Sequence, residues 1–444
     1  METERLALSI NSCRPCQPAG AVYAAMGVHA CLPLSHGSPG CIRFHRALLQ
    51  NHFRKPVKAV TSVLKEEAAV FGGEENLRTA VRNAFEIYNP EVLAVHTTCL
   101  SETIGDDVGA ILASIPVPAG KHLVWASTPS YTDGCISGYA AMLCGFIEGI
   151  AEPSHERTDK LCVFPGMVNT GDLYEIQMIL EQFGLEAMFL PDFRGVFDTA
   201  APERADAYAP GGTAAQDIKR IGGCGALLAL GSYASWKAGE LVGQKFFMQG
   251  HMLHLPVGLR NTDRFMETLC RISGKHAPKL LARQREGLME LVVESSKYLF
   301  GKRVALYTDP DMAIALAVFL ADIGMTPAVV ATAQPDEFFE KEMESVYRQY
   351  GVQGIAKSGC DAYALGHLAQ EGQVDCILGE SRGAYLSREL GIPFVRIGFP
   401  VTDRFGGYLQ TVMGYRGGVR IIEMVTNALL DHLDKRCGVL PKTR

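Results

Sequence analysis

Short runs of β-branched and aliphatic residues alternate with longer amphipathic stretches along the whole chain, a rhythm that predicts parallel α/β units. In the first region Val92–His96 reads as a buried strand between a helical segment, Glu75–Tyr88, and a loop holding Cys99. His122–Ala126 reads as the next strand and Thr128–Ser130 as its exit loop. In the second region a strand at Lys160–Phe164 runs through Pro165–Gly171 into a helix at Leu173–Phe183, followed by a strand at Leu185–Leu190, a helix at Ala214–Ile221 and a strand at Ala226–Leu230. The third has strands at Gly301–Tyr307, Pro327–Ala331, Asp375–Gly379 and Pro393–Ile397, with a helix at Met312–Ile323. Phe265–Leu299, rich in Arg, Lys, Glu and Leu, predicts one long helical connection. Gly417–Leu433 predicts a closing helix whose apolar side is Ile421, Ile422, Val425, Ala428, Leu429 and Leu433. The expected architecture is α/β, three lobes with parallel sheets flanked by helices. Its divisions fall at 1–155, 156–260, 261–300 (the helical connection), 301–416 and 417–444.

Composition narrows the function. The chain has 444 residues, too many for one compact core, and its 48% hydrophobic and 20% charged content is ordinary for a globular protein. A net charge of -6 with no long basic run argues against nucleic acid as a partner. The apolar runs Val304–Tyr307 and Ala313–Ala321 are far shorter than a membrane span, and the first residues lack the pattern of a secretory signal. Thirteen scattered cysteines, an odd number, suit a reducing cytoplasm better than a disulfide framework. Most of them, including Cys144, Cys162, Cys270 and Cys376, read as small buried hydrophobes.

Three cysteines differ. Cys16 opens Cys16-Gln-Pro-Ala-Gly-Ala21, Cys41 closes His36-Gly-Ser-Pro-Gly-Cys41, and Cys99 sits in Thr97-Thr-Cys99-Leu-Ser-Glu102. Intervals of 24 and 57 residues exclude a local zinc finger, so these thiols can meet only through the tertiary fold. Each lies beside Gly, Pro or Thr, where backbone N–H groups can approach inorganic sulfide, which suits an iron–sulfur cluster. Three ligands leave a cluster short, so the remainder must come from elsewhere, such as a second polypeptide. Ser130 is a candidate oxygen ligand or hydrogen-bond partner. Cys41 is expected in the first turn of a helix, where the dipole favours a thiolate.

Other motifs carry less. Cys13-Arg-Pro-Cys16 is formally a redox pair but lacks the strand-to-helix setting of one, so Cys13 reads as a spare thiol or auxiliary ligand. His45 reads as a surface or turn residue, while His36 is open between a turn and a site role. Ser101 or a neighbour is expected to cap a helix with Glu102, Asp106 and Asp107 nearby, rather than to form a catalytic group. There is no phosphate loop, and Gly222-Gly-Cys-Gly225 lacks its lysine. Ser381-Arg-Gly383 reads as a strand-to-helix turn.

Beyond the three cysteine frames, the chain contains Glu67-Ala-Ala-Val-Phe-Gly-Gly73, Glu102-Thr-Ile-Gly-Asp-Asp107, Thr128-Pro-Ser130, Pro165-Gly166 and Arg396-Ile-Gly-Phe-Pro400 with Asp403-Arg404. On these runs it resembles, over nearly its whole length, the β subunit of nitrogenase component 1. The resemblance implies three Rossmann-like lobes and a P-cluster, an eight-iron 8Fe-7S centre at the αβ interface, held here by Cys16, Cys41 and Cys99 with three cysteines of the α subunit. It implies Ser130 as a ligand in the oxidised cluster of some members. It also implies an α2β2 heterotetramer, an ATP-hydrolysing 4Fe-4S iron protein homodimer that delivers electrons, and a catalytic iron–sulfur cofactor in the α subunit. No catalytic residue is then expected in this chain.

Within that resemblance, the cysteine set argues against the cofactor-assembly scaffolds, which stay as an alternative. It also argues against the chlorophyll-pathway reductases with their four-iron cluster. Pro39 replaces the usual glutamine of the His-Gly-Ser-Gln-Gly-Cys turn, Tyr131-Thr-Asp-Gly-Cys135 replaces a phenylalanine-led segment, and Gly379-Glu-Ser-Arg-Gly383 replaces a Gly-Asn-Ser-Tyr-Gly pattern. These departures point to a nitrogenase-like reductase that cleaves carbon–sulfur bonds of methylthio-alkanes. The other reading is a dinitrogen-reducing β subunit of the molybdenum, vanadium or iron-only kind.

Overall fold

Most of the predicted apolar runs that lack helical spacing are buried on both faces, and such runs build three separate parallel sheets in a computed structural model of the chain. The structure describes residues 14–437 except 155, 202–203 and 205–206. Cys13 therefore lies outside the described residues. The first sheet contains β1 (Cys31–His36), β2 (Val60–Thr61), β3 (Val92–Thr97) and β4 (His122–Ala126) in the order β2-β1-β3-β4. The second contains β5 (Leu161–Phe164), β6 (Ala187–Phe189), β7 (Ala226–Leu230) and β8 (Gly250–Leu253) in the same relative order, β6-β5-β7-β8. The third contains β9 (Arg303–Tyr307), β10 (Thr326–Ala331), β11 (Ile355–Lys357), β12 (Cys376–Gly379) and β13 (Phe394–Arg396), ordered β11-β10-β9-β12-β13. In all three the strand order reverses beside the first strand. That creates a topological switch point, and the crevice at its C-terminal edge is where open α/β sheets bind ligands.

The described residues of the first lobe form seven helices: α1 (Gln17–Met26), α2 (Pro39–Phe53), α3 (Glu66–Phe71), α4 (Glu74–Tyr88), α5 (Cys99–Ile104), α6 (Val108–Ala113) and α7 (Cys135–Ile150). Helix α1 lies across α7 at backbone contact. A Cβ on Gly20 would fall on the carbonyl oxygen of Cys135, and a Cβ on Gly138 on the carbonyl oxygen of Gln17. Only glycine at both positions lets the helices approach so closely, and the bridge between Cys16 and Gly134 continues that approach to their first turns.

Two expectations need correction. The span Phe265–Leu299 is two helices, Arg260–Ser273 and Lys279–Leu299. Gly274 ends the first at a left-handed φ of +67°, and Pro278 caps the start of the second. The helix expected at Ala214–Ile221 is present but shorter, an α-helix at Ala215–Lys219 followed by a 3-10 turn at Ile221–Gly223, because two glycines follow Ile221 and neither favours a continued helix.

The lobes share one aromatic core. Tyr23 of α1 packs edge-on against Phe53 and Tyr139, lies at 4.7 Å from Phe193 and stacks on Phe399 at 5.2 Å, while its hydroxyl donates to the Val168 carbonyl at 2.7 Å. The Arg396–Pro400 run is thus part of the packing that fixes α1. Polar links join the second and third lobes. Asp311 accepts from the N–H groups of Tyr233 and Ala234 at 3.0 Å each and from the Ser232 hydroxyl at 3.1 Å.

His52, at the end of α2, has both ring nitrogens committed. Its Nε2 donates to Asn169 Oδ1 at 2.8 Å, and its Nδ1 accepts from the Val401 N–H at 2.9 Å. Burial pushes its pKa down to about 4, since a second proton would be desolvated and would break the Val401 bond. The neutral ring stabilises the fold above the unfolded-state pKa of about 6.5, and that contribution is lost as pH falls from there through about 4. The full difference is on the order of 3 kcal/mol. A His52→Asn variant is expected to be less stable than the parent at neutral pH, with a gap that narrows progressively on acidification, as denaturant midpoints across this range would record.

Candidate metal centre

The chemistry-bearing residues of the first lobe gather at the C-terminal edge of its sheet, on either side of the β1/β3 switch point. From β1 the chain turns through Gly37 and Ser38 into α2, with Pro39 in its first turn, where a missing N–H costs nothing, and Cys41 two residues on. From β3 it passes through Thr98 directly into α5, whose first residue is Cys99. The Thr98 hydroxyl donates to the His36 carbonyl at 3.0 Å, tying the two exits together. The third exit, after β4, carries Ser130. Thr128 donates both its N–H and its hydroxyl to Thr97, at 2.6 Å each. Cys16 arrives from outside the sheet, as the residue that caps α1.

Gln17 connects that helix to the Ser130 loop. Its side-chain amide donates to the Pro129 carbonyl and the Thr132 hydroxyl at 2.9 Å each, and Arg14 reaches the Ser130 carbonyl at 3.3 Å. The structure therefore brings Cys16 and Ser130 together, and Cys41 and Cys99 flank the same crevice. Each of the three thiols stands in the first turn or at the cap of a helix, where unsatisfied N–H groups and the helix dipole favour an anion. Cys99 is exposed, and Cys16 and Cys41 are half-buried. Burial pushes the Cys16 thiol up to about 11, with the Ala19 N–H pulling the other way, then the charge of Cys41 adding to the rise and the Ser130 hydroxyl opposing it. At that site burial outweighs the helix end, so a thiolate there requires a cation to displace the proton.

The acidic motif is a brace. Asp106 accepts from His36 Nε2 at 2.9 Å and from the Gly73 N–H at 2.9 Å, while His36 Nδ1 pairs with the Ser62 hydroxyl at 2.8 Å. A Cβ on Gly73 would approach Asp106 Oδ2 to 2.5 Å and His36 Cε1 to 2.9 Å, which accounts for a glycine at the end of Glu67–Gly73. His36 is thereby fixed as a buried structural residue. Burial lowers its pKa, and Asp106 opposes that. Asp107 caps α6 by accepting from the Ala110 N–H at 3.0 Å, Thr98 and Ser101 form a reciprocal cap on α5, and Glu102 accepts from the hydroxyls of Thr97 and Ser127 at 2.5 Å each. At the far end, Ser381 and Arg396 both bind Asp403, at 2.5 and 2.8 Å, so Ser381–Gly383 is a braced turn into the helix Gly383–Leu390.

His45 departs from the expectation of a surface residue. It is 1% exposed, and its Nε2 lies 3.0 Å from Cys16 Sγ. Burial pushes its pKa down to about 4. The available signal was its spacing, one helical turn after Cys41 and so on the same face. Gln17 gave no comparable signal, because the loop it holds is 112 residues away.

Among the described residues no three His, Cys, Asp or Glu side chains converge closely enough to hold a single metal ion. Three soft thiols spread along one edge, each with backbone donors near it, fit a share of a larger cluster. The corresponding crevice of the third lobe is nearly filled. Tyr307, Asp309, Gln334, Glu380 and Phe399 help to leave a cavity of about 40 Å³, the room of one or two waters.

Three α/β lobes with a thiol-lined edge at one switch point define a class of cluster-bearing oxidoreductase. A family model for nitrogenase component 1 type oxidoreductase matches residues 16–430. The chain is 38% identical over 439 residues to the nitrogenase molybdenum–iron protein β chain of Clostridium pasteurianum, covering 98% of this chain and 96% of that one. It is 34% identical to the β chain of Methanococcus maripaludis, covering 96% of each. A solved structure described as nitrogenase Cp1 at pH 6.5 superposes with a TM-score of 0.96 at 38% identity, over 99% of this chain and 97% of that one. The chain belongs to the nitrogenase component 1 family, on its β-subunit side. In this family the β chain carries a P-cluster shared with the α subunit, the catalytic cofactor sits in the α chain, and the α2β2 assembly works with an iron protein.

Proposed function

We propose that this chain is the electron-relay β subunit of a dinitrogen-reducing component 1, with Cys16, Cys41 and Cys99 as its share of the P-cluster ligands and Ser130 as an additional oxygen donor. The observation that carries the reading is the placement of all three thiols at helix starts around one switch point, in a chain matched from end to end by molybdenum–iron protein β chains. When bound, the cluster would supply one-electron relay between the iron protein and the α subunit's cofactor. The chain's own residues orient its ligands. Gln17 sets the Ser130 loop, Thr98 locks the exits of β1 and β3 together, and the His36–Asp106 brace holds the turn before Cys41. Free thiols at all twelve described cysteines support a reducing cytoplasm as its location, and no described helix is long and apolar enough to cross a membrane.

The similarity to β chains of this name favours dinitrogen over methylthio-alkanes. The second reading, reductive carbon–sulfur cleavage, is kept because two of the three departures lie next to the site. Pro39 begins the Cys41 helix, and Asp133, which accepts from the Ser137 hydroxyl and the Gly134 N–H, lies three residues after Ser130. The purified complex with its iron protein and ATP is expected to form ammonia from dinitrogen. Methane or alkene from methylthio compounds, with no ammonia, would establish the second reading in its place.

A further inference from the structure

We propose that His45 is a positioning residue that donates a hydrogen bond from Nε2 to the sulfur of Cys16 and so sets the reduction potential of the cluster. The inference rests on the P-cluster reading above. Helix α2 carries Cys41 in its first turn and His45 one turn later, and α1, which packs on α2, carries Cys16 at its cap. One helix thus supplies one thiol and holds a second through its imidazole, 3.0 Å from Sγ.

The direction of the bond follows from chemistry. A cluster-bound sulfur has lone pairs and no proton, so the ring nitrogen facing it must carry the hydrogen. The other nitrogen, Nδ1, is buried without a hydrogen-bond partner among the described residues. An orphaned lone pair at Nδ1 is the arrangement expected when the ring's proton is held at Nε2. Beyond the ring lies His96, centroid to centroid at 6.3 Å, whose Nε2 is engaged by the Ser35 hydroxyl at 2.5 Å. His45 is therefore packed against another imidazole and is not free to swing to water.

An N–H aimed at a cluster thiolate draws electron density from sulfur and stabilises the more reduced cluster, so its loss lowers the midpoint potential. The test uses the α2β2 complex carrying His45→Phe or His45→Gln, with iron content counted and midpoint potentials measured by spectroscopically monitored titration. The Phe variant is expected to keep its iron and to show about a tenfold change in the ratio of oxidised to reduced cluster at a fixed potential, about 59 mV downward for a one-electron step. The Gln variant, which restores an N–H donor, is expected to recover much of that shift. If Phe loses iron while Gln keeps both iron and potential, the donor role also stands. Unchanged potentials with full iron in both variants would overturn it, and so would loss of iron in both, since the position would then need imidazole itself. A parent complex without the interfacial cluster would instead overturn the P-cluster reading on which the inference rests.

Discussion

Replacing Cys99 with alanine is expected to leave the subunit folded while electron delivery to the α subunit falls by roughly 100-fold or more, since even outer partners of a metal ligand cost 10–100-fold when removed. The folding half of this prediction follows from exposure. Cys99 is open to solvent, so its thiol fills no core space. Helix α5 is started by the reciprocal Thr98–Ser101 cap, which does not involve sulfur. The thermal or denaturant midpoint should therefore stay near that of the parent, with the loss confined to cluster signal and substrate turnover. Iron content per αβ pair and turnover, measured on the same preparation, check both halves. A fully active Cys99→Ala complex would remove Cys99 from the ligand set.

Gly138→Ala is expected to do the opposite, damaging the fold first and the cluster as a consequence. Its new Cβ would overlap the Gln17 carbonyl, which is backbone and cannot rotate away, so α1 must shift off α7. Overpacking of this kind costs roughly 3 kcal/mol. The shift falls directly on the residue after Cys16. Denaturant midpoint and iron content should drop together, and Gly20→Ala, facing the Cys135 carbonyl, should behave alike. By contrast, Gly287→Ala is expected to leave iron content unchanged and to raise the denaturant midpoint slightly, because nothing lies within 4 Å of its added Cβ and alanine favours the interior of the helix Lys279–Leu299 over glycine.

The contrast between these glycines marks how far the residues alone could be read. The strands β3, β7 and β9 were legible because each is a short, largely buried apolar run bounded by turn residues. The helix start at Cys41 was legible because Ser-Pro-Gly names a turn and a first helical position. β1 was not, since Pro33 interrupts it. The proline is tolerated because it precedes the short pairing with β2, which begins at Leu34. The break in the 260–299 connection was marked by Gly274 and Pro278, and only the charged, leucine-rich composition on both sides disguised it.

At the site, what could be read was which thiols matter, through local Gly, Pro and Thr neighbours. What holds them could not be read, because it comes from distant contacts. Gln17 meets Pro129, His36 meets Asp106, and His45 meets Cys16 across 29 residues. Periodicity reports which face of an element is buried. It carries no information about which buried polar group will find which partner.

The central claim is that this chain supplies Cys16, Cys41 and Cys99 to a cluster completed by another polypeptide. Anomalous diffraction at the iron edge from crystals of the α2β2 complex tests it most directly. The expected result is an eight-iron centre at the αβ interface, bonded to the sulfurs of Cys16, Cys41 and Cys99 and to cysteines of the α subunit. Iron absent from that interface, or a smaller cluster that leaves any of these three thiols unbonded, would contradict it.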